Sequence, residues 1–274
     1  MREMTIKDIQ QVSLEILKDV HSFCVSNNIR YTLYGGTMIG AIRHKGFIPW
    51  DDDVDIAMPR PDYERFLSLY HSQHGYKLFA SGSEESYLAF SRVCEMRRTF
   101  VINSQMPWAN APTGVWIDIF PLDGAPDTTE ECENRLKVLK KLWKRSCYAR
   151  SAKSTFSFAK GAIEKAKMLI KKTIYNDYII TPQKVILKYT KEATLYEWGQ
   201  TNYFWNCSYL RYGMKEYQDI CDFQSTILVP FENDMFCVCN GYDHLMRTKY
   251  GDYMEMPPIE KQKSNHALCS YYWK

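Results

Sequence analysis

Four aspartates within five residues, in the segment WDDDVDIAM (50–58), constrain this chain more than any other feature. Apolar residues between and after the acids predict a buried strand over Phe47–Met58. Because side chains on a strand alternate between faces, Asp51, Asp53 and Asp55 should project together, with the last two about 7 Å apart. Such carboxylates repel one another, and Mg²⁺ bound between them would remove that repulsion. A solvated acidic turn after Pro49 is the alternative.

A fifth aspartate occupies a second strand. Asp118 stands between two isoleucines in the apolar segment VWIDIF (115–120), where an unpaired carboxylate would be costly. It is either a core acid with satisfied hydrogen bonds, the partner of an arginine, or the third carboxylate of a site shared with Asp53 and Asp55.

A glycine turn precedes the acidic segment. The predicted strand Ile29–Tyr34 leads through Gly35 and Gly36 into a short predicted helix over Thr37–His44. Glycines at such a junction let the backbone approach a ligand, and the helix N-terminus offers N–H groups to phosphate, although many Gly-Gly pairs are plain turns. The pattern is neither GxGxxG nor Walker A. The order of glycine turn, acidic strand and isolated strand aspartate resembles the nucleotidyltransferase fold of DNA polymerase β.

The rest of the chain predicts an α/β (α+β) protein, with a mixed sheet and an added helical region. The sequence starts with an amphipathic helix over Thr5–Asn27, and helical periodicity returns after Pro126, with residues 185–220 mostly helical. We expect a catalytic core over residues 1–126, a basic helical region over 127–220, and a C-terminal segment over 221–274 that packs back on the core.

Charge is distributed unevenly along the chain. Residues 135–172 hold thirteen Lys or Arg and one acid, Glu164, although the whole chain has 35 basic and 32 acidic residues. Such a block fits an anionic partner or a solvated helix face. Nucleic acid is not the expected partner, because no recognition module is visible and the remainder of the chain is acidic. Lysines opposite Leu, Ile and Trp instead predict peripheral contact with an anionic membrane surface.

Three segments together resemble the LicD family, bacterial phosphocholine transferases related to fukutin and fukutin-related protein. They are YGGTMIGAIRHKGFIPWDDDVDIAMPRPDYERF (34–66), WIDIFPLDG (116–124) and YGDYMEMPPIEK (250–261), in the order that the family has them. The pair Cys237 and Cys239 departs from the family pattern, in which prolines often stand there. A zinc site is not expected at this pair, because the sequence nearby does not complete four ligands.

The resemblance implies transfer of phosphocholine from CDP-choline to a hydroxyl of a cell-surface glycan or its lipid-linked precursor, with release of CMP. The glycan would be a teichoic acid, a lipopolysaccharide or a capsule. It implies that Asp53 and Asp55 bind Mg²⁺, or Mn²⁺, that Asp118 is the third carboxylate, and that Gly36 and Thr37 contact donor phosphate. CDP-glycerol, CDP-ribitol and CDP-ethanolamine remain alternative donors, and nucleotidyl transfer with release of pyrophosphate is an alternative reaction.

Further candidates are basic or aromatic. Arg43, Lys45 and Arg92 are candidate phosphate ligands, and each could equally be an ordinary surface residue. Trp50 is a candidate to stack on cytosine or to bind a quaternary ammonium, with core packing as the alternative. His44 and His266 are candidate acids or bases, with a structural hydrogen bond as the alternative for each. Without an apolar signal segment or a run of about 18 apolar residues, we expect a cytoplasmic protein that is peripheral on the inner face of the membrane.

Overall fold

The computed structural model of the chain describes residues 2–103, 114–151, 161–174, 180–208, 210–264 and 269–274. Its helices are α1 (Ile6–Ser26), α2 (Gly35–Ile39), α3 (Arg60–Leu69), α4 (Thr129–Ser151), α5 (Ala162–Ile174), α6 (Pro182–Ala193) and α7 (Tyr242–Tyr250). Its strands are β1 (Arg2–Glu3), β2 (Thr32–Leu33), β3 (Asp55–Pro59), β4 (Lys77–Phe79), β5 (Ser91–Glu95), β6 (Thr99–Asn103), β7 (Val115–Ala125), β8 (Tyr203–Trp205), β9 (Gln218–Asp219), β10 (Thr226–Phe231), β11 (Asp234–Cys239) and β12 (Cys269–Trp273). The predicted α/β class is confirmed. The candidate acid or base His266 lies outside the described residues.

The first helix follows directly from its sequence. Thr5 and Asp8 form a capping box, in which the backbone N–H of each residue donates to the side chain of the other. The box satisfies two N–H groups that a helix start leaves without partners. Aliphatic side chains at helical spacing then cover one face of α1 and enter the main core. The predicted helix Thr5–Asn27 is therefore confirmed.

The central sheet is mixed. Its strands follow the order β2-β3-β7-β5-β4, and the far end of β7 pairs with β8, which pairs with β9. β3 and β7 are parallel, whereas β2 with β3, β5 with β7, and β4 with β5 are antiparallel. Every residue of β7 is buried, which explains why its sequence is almost continuously apolar.

The strand predicted over Phe47–Met58 is shorter in the structure. It begins only at Asp55, because the backbone N–H of Asp51 donates to the carbonyl of Ile48 at 2.9 Å and turns the chain just after Pro49. The acids at 51–53 therefore lie on a non-strand segment that leads into β3.

The C-terminal segment packs on the core beside the glycine turn. The hairpin β10–β11 meets β2, where the backbone N–H of Cys239 donates to Thr32 Oγ1 at 2.9 Å. Leu245 and Met246 of α7 belong to the same apolar cluster as Ile56 of β3. This packing carries α7 and the chain after it to the edge of the acidic segment.

The basic helical region has its own smaller core. Leu139 of α4, Tyr189 of α6 and Trp205 of β8 are buried in this cluster. The mostly helical prediction for residues 185–220 is wrong after Ala193, where α6 ends and the chain forms β8, short 3₁₀ turns and β9. Tertiary contacts explain the difference, because β8 pairs with the C-terminal end of β7. The division into three domains remains a prediction.

Candidate active site

Parallel pairing brings the two acidic segments together. In the register between β3 and β7, Asp55 is the partner of Asp118. The backbone N–H of Asp118 also donates to the carbonyl of Val54 at 2.8 Å, which continues the ladder by one residue. Two aspartates that are 63 positions apart in sequence thus stand side by side at the start of β3.

The glycine turn closes on these acids from the other side. The backbone N–H of Asp55 donates to Thr37 Oγ1 at 2.8 Å, and the N–H of Tyr34 donates to the Asp55 carbonyl at 2.9 Å. Gly35 has a φ of +55°, and a Cβ there would lie 2.7 Å from Asp55 Oδ2. A Cβ on Gly36 would lie 2.6 Å from Asp51 Oδ2. The positive φ of Gly35 favours glycine there, and a side chain at either position would force a carboxylate to shift.

One cleft of about 190 Å³ gathers the acids. Asp51, Asp53, Asp55 and Asp118 all line it, together with Gly36 and Arg92. Thr37 is buried and does not line the cleft, so its hydroxyl holds Asp55 in place. Of the predicted site residues, the structure thus brings the three carboxylates, one glycine and one arginine together. Their roles remain predictions.

Arg92 forms an ion pair with the aspartate of β7. Its Nε donates to Asp118 Oδ1 at 2.5 Å and a terminal nitrogen donates to Oδ2 at 3.3 Å. Both residues are buried, and the guanidinium stacks over Trp116 at 4.4 Å from the ring centroid. Asp118 therefore has the arginine partner that the sequence left open, and Arg92 orients a carboxylate at the wall of the cleft.

Burial and the neighbouring charges of the cleft together change the pKa of Asp55. Burial raises the pKa of its carboxyl well above the ordinary value, and the negative charges of Asp53, Asp118 and Asp51 raise it further. The ammonium of Lys249 opposes the shift. A cation bound beside Asp55 would favour its charged form, so the crowding that raises this pKa also suits a metal.

Carboxylate oxygens are the donors that Mg²⁺ prefers, and the cleft offers several. Within the described ranges, however, no three His, Cys, Asp or Glu residues stand in the geometry of a metal site. Both oxygens of Asp118 already accept hydrogen bonds from Arg92. The carboxylate oxygens that line the cleft suit a hard cation, and Asp53 and Asp55 remain its predicted ligands.

A second cleft of about 450 Å³ adjoins the first and shares Gly36, Asp51, Tyr212 and Tyr250 with it. Trp50 lines this cleft, half-buried, with its ring edge toward His44. Arg43 lines it as well, but its guanidinium donates to the backbone carbonyls of Tyr253 and Glu255 at 2.7 and 2.9 Å.

Two features of the surface lie away from these clefts. Lys45 lines neither of them; it ends the helical turn after α2 with a φ of +61°, and its carbonyl accepts from the N–H of Glu232. A larger groove of about 740 Å³ beside α1 contains none of the predicted site residues.

Several cleft residues were missed by the sequence analysis. Lys249 of α7 forms an ion pair of 2.6 Å with Glu216, and both side chains are buried. Tyr34 donates its hydroxyl hydrogen to the same glutamate. Asn206, Arg211, Tyr212 and Tyr250 complete this wall. The signal available was position, since Lys249 directly precedes the third family-like segment.

Known proteins resemble the chain, one of them over its full length. Residues 28–140 match a family model described as the LicD/FKTN/FKRP nucleotidyltransferase domain. A protein of Haemophilus influenzae named lipopolysaccharide cholinephosphotransferase LicD is 34% identical over 283 aligned positions, which cover 99% of each chain. The chain belongs to the LicD family.

Shorter matches include an uncharacterized protein of Rickettsia typhi, 36% identical over 28% of this chain and 26% of its own length. One from Rickettsia prowazekii is 46% identical over 18% of each chain. In the present LicD family member, the matched domain of residues 28–140 contains the glycine turn and all four cleft aspartates.

The raised pKa predicts a pH-dependent effect of Asp55→Asn. Over the pH range between the ordinary and the raised pKa, the folded chain binds a proton that the unfolded chain has released. The free energy of unfolding therefore falls as pH rises through this range, and the amide removes that loss. In EDTA, we expect the variant to gain stability over the wild type, increasingly from pH 4 to pH 7. Urea denaturation measures this, and a gap that stays constant or reverses would contradict it.

Proposed function

We propose that this protein transfers phosphocholine from CDP-choline to a hydroxyl of lipopolysaccharide or its lipid-linked precursor, with release of CMP. The observation that carries the proposal is the 34% identity, over the full length of both chains, to a lipopolysaccharide cholinephosphotransferase. The cleft supports it, because acids, a glycine turn and a buried lysine converge there as group transfer to a hydroxyl requires. A teichoic acid or capsule acceptor would use the same chemistry.

The nucleotidyltransferase-like fold is part of this proposal. The family model that the chain matches carries that description. The arrangement also agrees, since a glycine turn at α2 is followed by an acid on β3 and a further acid on the adjacent strand β7.

Asp53 and Asp55 would hold Mg²⁺, or Mn²⁺, against the donor diphosphate. A metal bound there would neutralise charge on the phosphoryl group and on the departing CMP. The attacking hydroxyl oxygen forms a new bond to the choline-bearing phosphorus, and the bond from that phosphorus to the CMP oxygen breaks. Asp118, oriented by Arg92, is the group that would accept the hydroxyl proton.

The glycine turn would contribute to donor binding. Gly36, in the first turn of the short helix α2, lines both clefts. Because it has no side chain, a phosphate could approach the main chain closely there. Thr37 would act through Asp55, whose backbone N–H it binds. Trp50 and the tyrosines of the second cleft offer aromatic faces for cytosine or for the quaternary ammonium of choline.

Phosphorus NMR with Mg²⁺ and an acceptor glycolipid tests the proposed reaction. We expect CDP-choline to yield CMP and a phosphodiester product, with Asp55→Asn at least about a hundredfold slower because a charge-stabilising group is lost. Glu133→Gln, an exposed acid on α4, is the control and should match the wild type.

Parallel tubes identify the competing reactions. Release of CMP from CDP-glycerol, CDP-ribitol or CDP-ethanolamine, and not from CDP-choline, would show that another donor is used. Release of pyrophosphate from a nucleoside triphosphate would show that the reaction is nucleotidyl transfer. No turnover of any donor in the presence of acceptor would reject phosphotransfer.

The basic region supports a proposed location at the inner face of the cytoplasmic membrane. In the described residues, no helix combines the length and apolar character needed to cross a bilayer. α5 nevertheless exposes a face of large aliphatic side chains, with Ile163 72% and Ile170 61% accessible. The same helix carries Lys165, Lys167 and Lys172. A helix of this kind can lie in the surface of an anionic membrane, where an amphiphilic acceptor would also be found.

Vesicle binding tests this location. Leu169→Ser/Ile170→Ser should weaken binding to phosphatidylglycerol-containing vesicles about tenfold, because two exposed aliphatic side chains of α5 lose their contact with lipid. Ile227→Ser/Leu228→Ser, two exposed aliphatic residues of β10, is the matched control and should bind as the wild type does. Equal capture of the wild type by neutral and anionic vesicles would reject the proposed attachment.

A further inference from the structure

A buried ammonium group stands at the wall of the acid-lined cleft. Lys249 lies near the end of α7, and its side chain is only 3% accessible to solvent. Its Nζ is 2.6 Å from Oε1 of Glu216, whose side chain is 4% accessible. A lysine is rarely buried so completely unless its charge is paired, because removing an ammonium from water is costly.

Aromatic rings, and few hydrogen-bond acceptors, surround this ammonium. Its Nζ lies 4.1 Å from the ring centroid of Tyr34, 4.6 Å from that of Tyr212 and 5.5 Å from that of Tyr250. Ring faces attract a cation but do not replace hydrogen-bond acceptors of normal strength. An ammonium has three N–H donors, and in the described part of the chain Glu216 is the one acceptor within hydrogen-bonding distance.

Two buried or half-buried arginines near the cleft are committed to protein partners. Arg92 donates to both oxygens of Asp118. Arg43 lines the adjoining cleft and donates to two backbone carbonyls. Lys249 differs from both arginines, because it lines the carboxylate cleft with N–H donors to spare.

We propose that Lys249 binds a phosphate oxygen of the CDP-linked donor, inside the carboxylate cleft. This inference rests on the proposed function. The donor diphosphate brings negative charge close to the cleft aspartates, and an ammonium already in place offsets part of that repulsion. Phosphate supplies the acceptor oxygens that the three tyrosine rings around the ammonium do not provide.

The network around Lys249 holds the ammonium in position relative to the glycine turn. Glu216 accepts from Lys249 through Oε1 and from the hydroxyl of Tyr34 through Oε2. Tyr34 immediately precedes α2, and its N–H donates to the Asp55 carbonyl. A continuous series of hydrogen bonds therefore links α7, the glycine turn and β3. This series holds the ammonium in place, so that little rearrangement is needed when a phosphate binds.

Calorimetric binding of CDP in EDTA tests this assignment without metal and without turnover. We expect Lys249→Met to raise the Kd for CDP by about tenfold or more, because a charge-assisted hydrogen bond is lost, while binding of cytidine is unchanged. Removing only the lysine leaves Glu216 buried and unpaired, so Lys249→Met/Glu216→Gln is the second variant, and it should show the same loss. The exposed Lys215→Met is the control.

The outcomes separate this inference from the proposed function. CDP binding at wild-type strength by the folded double variant would overturn it and leave Lys249 a structural residue. Equal losses for cytidine and CDP would also overturn it, since the phosphate would then not be the group recognised. If CDP binding depends on Lys249 but phosphocholine transfer is absent in the wild type, the proposed function fails and the phosphate site stands.

Discussion

The parallel pairing of β3 with β7 is the constraint on which the candidate site depends. It places Asp55, the first residue of β3, beside Asp118 within β7, and both residues line the cleft. The glycine turn packs directly against Asp55 because Gly35 carries no side chain at the point of contact. Strand register, turn chemistry and acid placement therefore support one another, and a shift of one residue in the register would move the carboxylates to the opposite face.

Such a site is electrostatically unfavourable in the absence of ligand. Four aspartates share a small cleft, and burial adds to their mutual repulsion. Arg92 neutralises one of them, and the ion pair of Lys249 with Glu216 adds a cation at the wall. The structure keeps this arrangement although it lowers stability, as proteins do at sites where charge is needed for binding and chemistry. A bound metal ion would neutralise the remaining negative charge of the aspartates.

The sequence predicted the parts of the site that are local. α1, the apolar strand around Asp118 and the glycine turn follow from periodicity and residue type, because neighbouring residues determine them. It did not predict that β3 begins only at Asp55, since a backbone hydrogen bond from Asp51 to Ile48 decides that. Glu216 and Lys249 were missed for a different reason: they lie at least 98 positions beyond the last cleft aspartate, Asp118, and only tertiary packing brings them to the cleft.

The central claim is that the aspartate cleft is built to hold a divalent cation beside a phosphate. Electron paramagnetic resonance titration with Mn²⁺, in the absence of nucleotide, measures this most directly. We expect saturable binding to the wild type and to Glu133→Gln, and loss of binding in both Asp53→Asn and Asp55→Asn. Binding that is equally strong in all four proteins, or absent from the wild type even with CDP present, would contradict it.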